Sequence, residues 1–351
     1  MSDATMRAWR TQHYGQPLDV LKMESVPVPV PGPGQLLVKV QGIPLNLNDL
    51  ERIKGGNMMV QPELPYSPGM EVLGIVDAVG EGVGADHIGR RVSAIPDGAH
   101  GGYAEYCNCP VVSAFDVPDD ITLPDAAALM FPFHLAWLGL YDRARLQAGE
   151  TVLIHAAAGG AGSAAIQLAK LAGATVIATV GSDAKAELCK SLGADHVINY
   201  NTRDFSAESL ALTGGKGVDV VFDTVGEAVM EKSMNAIAYN GRYIMLGFAS
   251  DKTVADEKFV VPRRLTLGNF SLCGVTLAYI DDAIAVGLKQ GMGWNFATAS
   301  LGQKIQKEIV ELYRAGKIQA VVGWHIGFED IPQAITDMAE RKTVGRVVAV
   351  L

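Results

Sequence analysis

Residues 155–162 read HAAAGGAG and lie between the apolar run TVLI and the segment SAAIQLAKLAG. Gly159, Gly160 and Gly162 therefore fall where a strand pattern gives way to a helix pattern. Glycine tolerates positive φ, and its missing Cβ lets another group come close to the backbone. A helix opening at this point presents N–H groups and the positive end of its dipole, which together favour a pyrophosphate. The small side chains of Ala157, Ala158 and Ala161 keep that approach clear. The spacing departs from G-x-G-x-x-G, so the reading rests on context: strand, turn, helix and second strand follow one another within about 30 residues. The alternative is a tight strand-to-helix turn with no ligand.

The second strand pattern, ATVIATV, bears on the choice of dinucleotide. Chains that bind NAD usually end this strand with Asp or Glu, about 20 residues past the glycines, to hold the ribose hydroxyls. Here it ends at Val180, followed by Gly181 and Ser182. No carboxylate at that point repels a 2′-phosphate, and Lys185 is close enough in sequence to pair with one. Asp183 complicates this: it suits the first turn of the next helix, yet it could also bond a ribose. The expectation is NADPH; the alternative for Lys185 is a solvated helix lysine.

These residues need elements to hold them. The first 125 residues are β-prone, with short runs such as QLLVKVQGI, VLGIVDAVG and AEYCNCPVV separated by turn clusters such as VPVPVPGPGQ and PELPYSPG. From Pro124 strand and helix patterns alternate: DAAALMFPFHLAWLGLYDRA as a helix, then ETVLIHA, SAAIQLAKLAG, ATVIATV, DAKAELCKSLG, HVINY, VDVVFDTVG, AVMEKSMNAIAYNG, RYIMLGF and NFSLCGVTLA. Such alternation indicates a parallel sheet covered on both faces. The last part carries two helix patterns, KIQKEIVELYRAG and DIPQAITDMAERK, and a closing strand, GRVVAVL. The α/β block thus reads as an insertion into a discontinuous domain, with residues 1–125 and 278–351 flanking residues 126–277.

Composition narrows the function classes. The 351 residues are 49% hydrophobic and 19% charged, enough to bury a sizeable core. A net charge of −9 argues against general affinity for nucleic acid or acidic membranes, both of which need clustered Lys and Arg. No apolar run approaches the roughly 20 residues that cross a bilayer, and MSDATMRAWR has no apolar signal core. The four cysteines are few, and Cys107 and Cys109 in EYCNCP fit strand side chains better than a metal clip. A cytoplasmic, reduced protein is the default.

HAAAGGAGSAAIQLAK, GSDAKAELCKSLGADHVINY, VVFDTVG and GRYIMLGFAS, with LNLNDLERIKGG and PELPYSPGMEVLGIVDAVG, resemble the medium-chain dehydrogenase/reductase superfamily, in particular its zinc-free quinone oxidoreductase branch. The resemblance implies an α/β chain in which a Rossmann doubly wound parallel sheet is inserted into a GroES-like β-rich catalytic domain, with the active site in the cleft between them. It also implies a homodimer joined along an edge strand, here NFSLCGVTLA. By matching positions, Gly159, Gly160, Ala161 and Gly162 would form the diphosphate turn. Ser182, Lys185 and Tyr200 would surround the 2′-phosphate, although Tyr200 also reads as a half-buried strand tyrosine. Gly247, Phe248 and Ala249 would run along the nicotinamide half, and Arg346 would lie near the cofactor.

Zinc-using relatives carry a cysteine in the segment written here LNLNDL and a histidine before the glutamate in PGMEVLG. This chain has Asn46 and Met70 at or near those places, and an amide and a thioether do not replace thiolate and imidazole. The expectation is no metal. Without a Lewis acid, reduction of an electrophilic acceptor is easier than oxidation of an alcohol. That points to an NADPH-dependent reductase of quinones or small α,β-unsaturated carbonyls. From the resemblance, Asn46 would polarise the acceptor oxygen and Asp49 would hold Asn46 or a water, unless the pair merely caps the helix DLERIK. His134 would donate a proton, unless it is a structural histidine. The rival branch, enoyl-thioester reduction, uses a tyrosine where this chain has Met58, and Tyr66 matches an aromatic packing position. A third reading is NADPH binding without turnover. Pocket walls are expected from the loops MVQPELPY and YIDDAIAVGLKQGMGW.

Overall fold

The computed structural model describes residues 4–56, 61–246 and 262–351. Its chain divides into two compact units, one of residues 1–130, 278–311 and 320–351, the other of residues 131–277 and 312–319.

The first unit is built on a seven-stranded sheet. Its path runs Val322–Gly327, Arg346–Val350, Gln35–Pro44, Val72–Val79, Arg91–Ala94 and Ala114–Asp116, with Tyr106–Pro110 also paired to Gln35–Pro44. All of these pairings are antiparallel except that of the first two strands. Alternating apolar residues explain the strands: Leu36, Val38 and Val40 face one core with Val72, Val76 and Val347. The helix Leu47–Lys54 adds Leu50 and Ile53 to that core, and its amide at Gly55 turns back in the left-handed region with φ of 76°. Cys107 and Cys109 lie on the strand Tyr106–Pro110, both buried, with their sulfurs 3.8 Å apart.

The second unit holds six parallel strands in the order His196–Asn199, Thr175–Val180, Thr151–Ile154, Val218–Asp223, Ile237–Met245, Ser271–Gly274. Two runs of strands grow outward from Thr151–Ile154 and Val218–Asp223, so the order reverses between these two. In a doubly wound sheet that reversal opens a crevice at the carboxyl ends of the strands, the usual place for a nucleotide. The chain returns to this unit after leaving it: Gln319 N–H donates to Gln167 Oε1 at 2.8 Å, and Gln167 Nε2 donates back to Gln319 O at 3.1 Å. These two bonds stitch residues 312–319 to the helix Gly160–Leu171.

Several elements depart from the sequence reading. The helix expected over residues 125–144 is broken into Asp125–Ala128, Met130–Trp137 and a wide π-type turn, Leu138–Arg143. The helix pattern AVMEKSMNAIAYNG ends at Ala236, and its last residues already belong to the strand Ile237–Met245. A helix at Phe205–Leu212, capped by Asp204, lies between HVINY and VDVVFDTVG, where the sequence reading assigned no element. YIDDAIAVGLKQGMGW, expected as a loop, contains the helix Asp282–Met292, opened by the Asp281 carboxylate on Ala283 N–H at 2.7 Å and closed by Gly293.

Candidate functional site: a dinucleotide cradle and a buried polar network

The strand Thr151–Ile154 ends in the turn His155–Ala158, and Gly159 caps the helix Gly160–Leu171. Ala156 is held at φ of 48°, a left-handed conformation for a residue with a Cβ. Its carbonyl accepts from Gly159 N–H at 2.9 Å and closes the turn. A Cβ on Gly162 would lie 2.5 Å from that carbonyl oxygen and 2.7 Å from Ala157 Cα, so only glycine lets the helix sit so close to the turn. A Cβ on Gly159 would also press on that carbonyl oxygen, at 3.2 Å. The N–H groups of the first helical turn have no carbonyl of their own helix to bond. This cradle fits a pyrophosphate.

Beneath the turn His155 is fully buried, with Nδ1 2.9 Å from Thr179 Oγ1 and Nε2 2.8 Å from Ser233 Oγ. Burial pushes its pKa down to about 3, so it is a neutral tie between three elements. The next strand over ends in Asp223, also buried. Its carboxylate accepts from the N–H groups of Val225 at 2.7 Å and Gly226 at 2.9 Å and from the Tyr243 hydroxyl at 2.6 Å. Burial raises its pKa against those three donors. Neither residue was picked out by sequence reasoning; a buried polar residue at the carboxyl end of a parallel strand was the available signal.

The second strand, Thr175–Val180, is followed by Gly181 and Ser182, and Tyr200 packs against Gly181 from just beyond the neighbouring strand. Ser182 caps the helix Asp183–Ser191, its hydroxyl accepting from Lys185 N–H at 3.4 Å. Tyr200 N–H donates to Val180 O at 3.0 Å, and the Tyr200 hydroxyl fills the space of the missing Gly181 side chain, 2.6 Å from where a Cβ would stand. Tyr200 is 44% exposed and Lys185 half-buried. Ser182, Lys185 and Tyr200 contribute residue types that together suit a phosphate, two hydroxyls and an ammonium.

In the first unit a second group of polar residues is nearly sealed from solvent. Asn46 Nδ2 donates to Pro44 O at 3.2 Å and to Glu71 Oε2 at 3.3 Å, and Arg346 Nη1 donates to Asn46 Oδ1 at 3.4 Å. Arg346 Nη2 is ion-paired with Glu71. Asp49 sits in the first turn of Leu47–Lys54, fully buried. It accepts from Asn46 N–H at 3.3 Å, Gly69 N–H at 3.2 Å and the Tyr103 hydroxyl at 3.3 Å. Burial raises its pKa to about 6 against the opposing pull of Arg52 and these donors. Asp49 is thus a capping and positioning group. Tyr66 is buried, its ring edge-on to His100 at 5.9 Å. His134, on Met130–Trp137, has no exposed surface and belongs to the other unit. Gly247, Phe248, Ala249 and Met58 lie outside the described residues.

A family model described as an alcohol dehydrogenase GroES-like domain matches residues 32–119, and one described as a zinc-binding dehydrogenase matches residues 160–289. A human quinone oxidoreductase is 32% identical over 297 residues, 82% of this chain and 87% of its own. The human synaptic vesicle membrane protein VAT-1 homolog is 32% identical over 334 residues, 95% of this chain and 83% of its own. Among solved structures, a mycobacterial protein complexed with NADPH superposes with a TM-score of 0.85 at 32% identity, covering 99% of this chain and 100% of that one. The chain belongs to the medium-chain dehydrogenase/reductase superfamily, in its quinone oxidoreductase-like branch. Its two units are accordingly a GroES-like domain and a Rossmann-like domain. With that membership comes the coarse activity, oxidoreduction with a nicotinamide cofactor.

The zinc-binding description of the matching family model can be tested on the donor set of this family member. At or near the places where zinc-using relatives carry their ligands stand the Asn46 amide and Met70, beside a Glu71 carboxylate already engaged by the Arg346 guanidinium. A fixed cation at the carboxylate, with an amide and a thioether around it, does not fit a catalytic zinc. Among the described residues no group of three His, Cys, Asp or Glu side chains is arranged to hold a metal ion, and no helix is long and apolar enough to cross a membrane.

Proposed function

We propose that this chain uses NADPH to reduce a quinone or a small α,β-unsaturated carbonyl, and does so without zinc. The observation that supports the cofactor choice is the Tyr200 hydroxyl against Gly181, with Ser182 capping the helix that carries Lys185, at the end of a strand that finishes in Val180 rather than a carboxylate. In this reading Gly159, Gly160, Ala161 and Gly162 hold the pyrophosphate, and the Lys185 ammonium and the Tyr200 and Ser182 hydroxyls hold the 2′-phosphate. Gly247, Phe248 and Ala249 keep the place along the nicotinamide that the resemblance gives them. When bound, the reduced nicotinamide supplies hydride.

The chain's own groups support an acceptor that is already electron-poor. Removing hydride from an alcohol requires a lowered hydroxyl pKa, usually through a Lewis acid, and among the described residues no group of side chains is arranged to hold one. A quinone or enone needs binding, orientation and polarisation. Arg346 and Glu71 hold the Asn46 amide, so we assign Arg346 to positioning Asn46 rather than to the cofactor. The complete burial of His134 supports its structural reading over that of proton donor.

The test is loss of NADPH absorbance with a panel of quinones, enones and an enoyl thioester. Saturable NADPH binding with no acceptor reduced would make the chain a nucleotide-binding protein and defeat the reductase reading. Lys185→Ala is expected to weaken NADPH by about 1.5–3 kcal/mol, the worth of a charge-assisted hydrogen bond, and to leave NADH almost unchanged. Equal losses for both cofactors would remove Lys185 from the phosphate site.

A further inference from the structure

Asp183 is the acidic group nearest the end of the strand Thr175–Val180, and the structure ties its carboxylate down. Asn199, the last residue of the neighbouring strand His196–Asn199, is paired in register with Val180. Its Nδ2 donates to Asp183 Oδ1 at 3.2 Å. Its Oδ1 accepts from Asn201 N–H at 3.1 Å, which fixes the amide's orientation and leaves the N–H₂ end pointed at Asp183. Asn201 adds a second link, its Nδ2 donating to Gly181 O at 2.8 Å. Asn199, Tyr200 and Asn201 therefore act together as a clasp. Their middle residue occupies the space of the Gly181 side chain, and the two asparagines hold the strand end and the first turn of the following helix.

We infer that Asn199 is a specificity-setting residue: it tethers the Asp183 carboxylate and so favours a cofactor carrying a 2′-phosphate over one carrying a free 2′-hydroxyl. The inference rests on the NADPH reading above. A carboxylate two residues before Lys185 can act in either direction. Released, it can turn toward a ribose, where it accepts from a hydroxyl and repels a phosphate dianion. Held by a fixed amide donor, one of its oxygens is spent and its position is set by the opposite strand. Asn199 touches no part of the nucleotide in this scheme; it acts through Asp183.

The experiment measures dissociation constants for NADPH and for NADH by fluorescence titration, without turnover, on the full-length protein and on Asn199→Ala, Asp183→Asn and the double variant. Asn199→Ala should lower the preference for NADPH about two- to fivefold, the scale of an interaction with an exposed charge. The change should shrink at high salt. In the Asp183→Asn background the same substitution should have no further effect on the ratio, because the charge it releases is gone. Asn199→Ser keeps an acceptor for Asn201 N–H on a side chain one atom shorter. It should behave as Asn199→Ala does, and it answers the question if the alanine variant folds poorly. A parallel weakening of both nucleotides would reveal a purely structural asparagine and overturn the inference. A wild-type protein that prefers NADPH while every variant keeps that preference defeats the clasp alone. A wild-type protein that binds NADH as tightly as NADPH defeats the cofactor reading itself.

Discussion

His155 shows how much a single residue can conceal. In the sequence it precedes the alanines of the turn and has no visible partner. Its role comes from Thr179 on the next strand and Ser233 on a later helix, neither foreseeable from spacing. Burial lowers its pKa from 6.5 to about 3, so the fold keeps it neutral while an unfolded chain protonates it near 6.5. Its contribution to stability is therefore complete above pH 6.5 and is lost as the pH falls toward 3, at up to about 1.4 kcal/mol per pH unit for one proton. Asp49 works in the opposite sense. Its pKa, raised from 3.8 to about 6, makes folding more favourable as the pH drops through that interval. In His155→Phe the acid side of the stability profile should flatten or reverse, which urea midpoints between pH 3 and pH 7 will read. A variant as acid-sensitive as the wild type would mean that other groups dominate. The glycines of the same turn were legible because their strand, turn and helix are contiguous. The Asn199 tether was not, because it joins residues 16 apart through strand pairing.

At the scale of elements, the strand–turn–helix at residues 151–171 is closely packed on its own backbone. Gly162→Ala places a methyl 2.5 Å from the Ala156 carbonyl oxygen, and that neighbour is backbone in an already left-handed turn. We expect a loss of about 1–3 kcal/mol from overpacking, together with loss of nucleotide binding, read by thermal melts with and without NADPH. Unchanged binding would mean that the turn does not hold the pyrophosphate. Elements that escaped the sequence reading did so for identifiable reasons. Phe205–Leu212 buries Phe205, Ser206 and Ser209, a face with too few apolar residues to form a stripe. Asp282–Met292 leaves Ile284, Val286 and Met292 exposed, against the usual pattern of apolar residues inside. In both cases the aspartate cap was the one readable sign. The strand Ile237–Met245 follows its helix with no Gly or Pro between Ala236 and Ile237 to mark the change.

For the whole molecule, the sequence supported a β-rich domain interrupted by an α/β block, but not the return of residues 312–319 to the parallel-sheet unit. That return depends on an amide-to-backbone stitch between residues 152 apart, which no local pattern records. Among the described residues the strand Ser271–Gly274 is one of the two edges of the six-stranded sheet, the other being His196–Asn199, and Leu267 and Tyr239 lie in segments adjoining Ser271–Gly274 with 75% and 74% of their surfaces exposed. An edge strand is a template for another strand, and we propose that a second copy of the chain covers the Ser271–Gly274 edge. Sedimentation should then give twice the chain mass, and Leu272→Pro, which removes a backbone donor from that strand, should shift the equilibrium toward monomer. A wild-type protein that sediments as a monomer at micromolar concentration would refute this assembly.

The division of the chain also sets an order of events during synthesis. Arg346–Val350 lies inside the first unit's sheet, between Val322–Gly327 and Gln35–Pro44, and the second unit is not stitched until Gln319 reaches Gln167. A ribosome releases its earliest segments first, yet the first unit's sheet cannot close until residues 346–350 have been made. The nascent chain must therefore carry that sheet with an open seam while the whole six-stranded sheet, complete by residue 274, is being made, and a truncation that removed residues 346–350 would withdraw an interior strand.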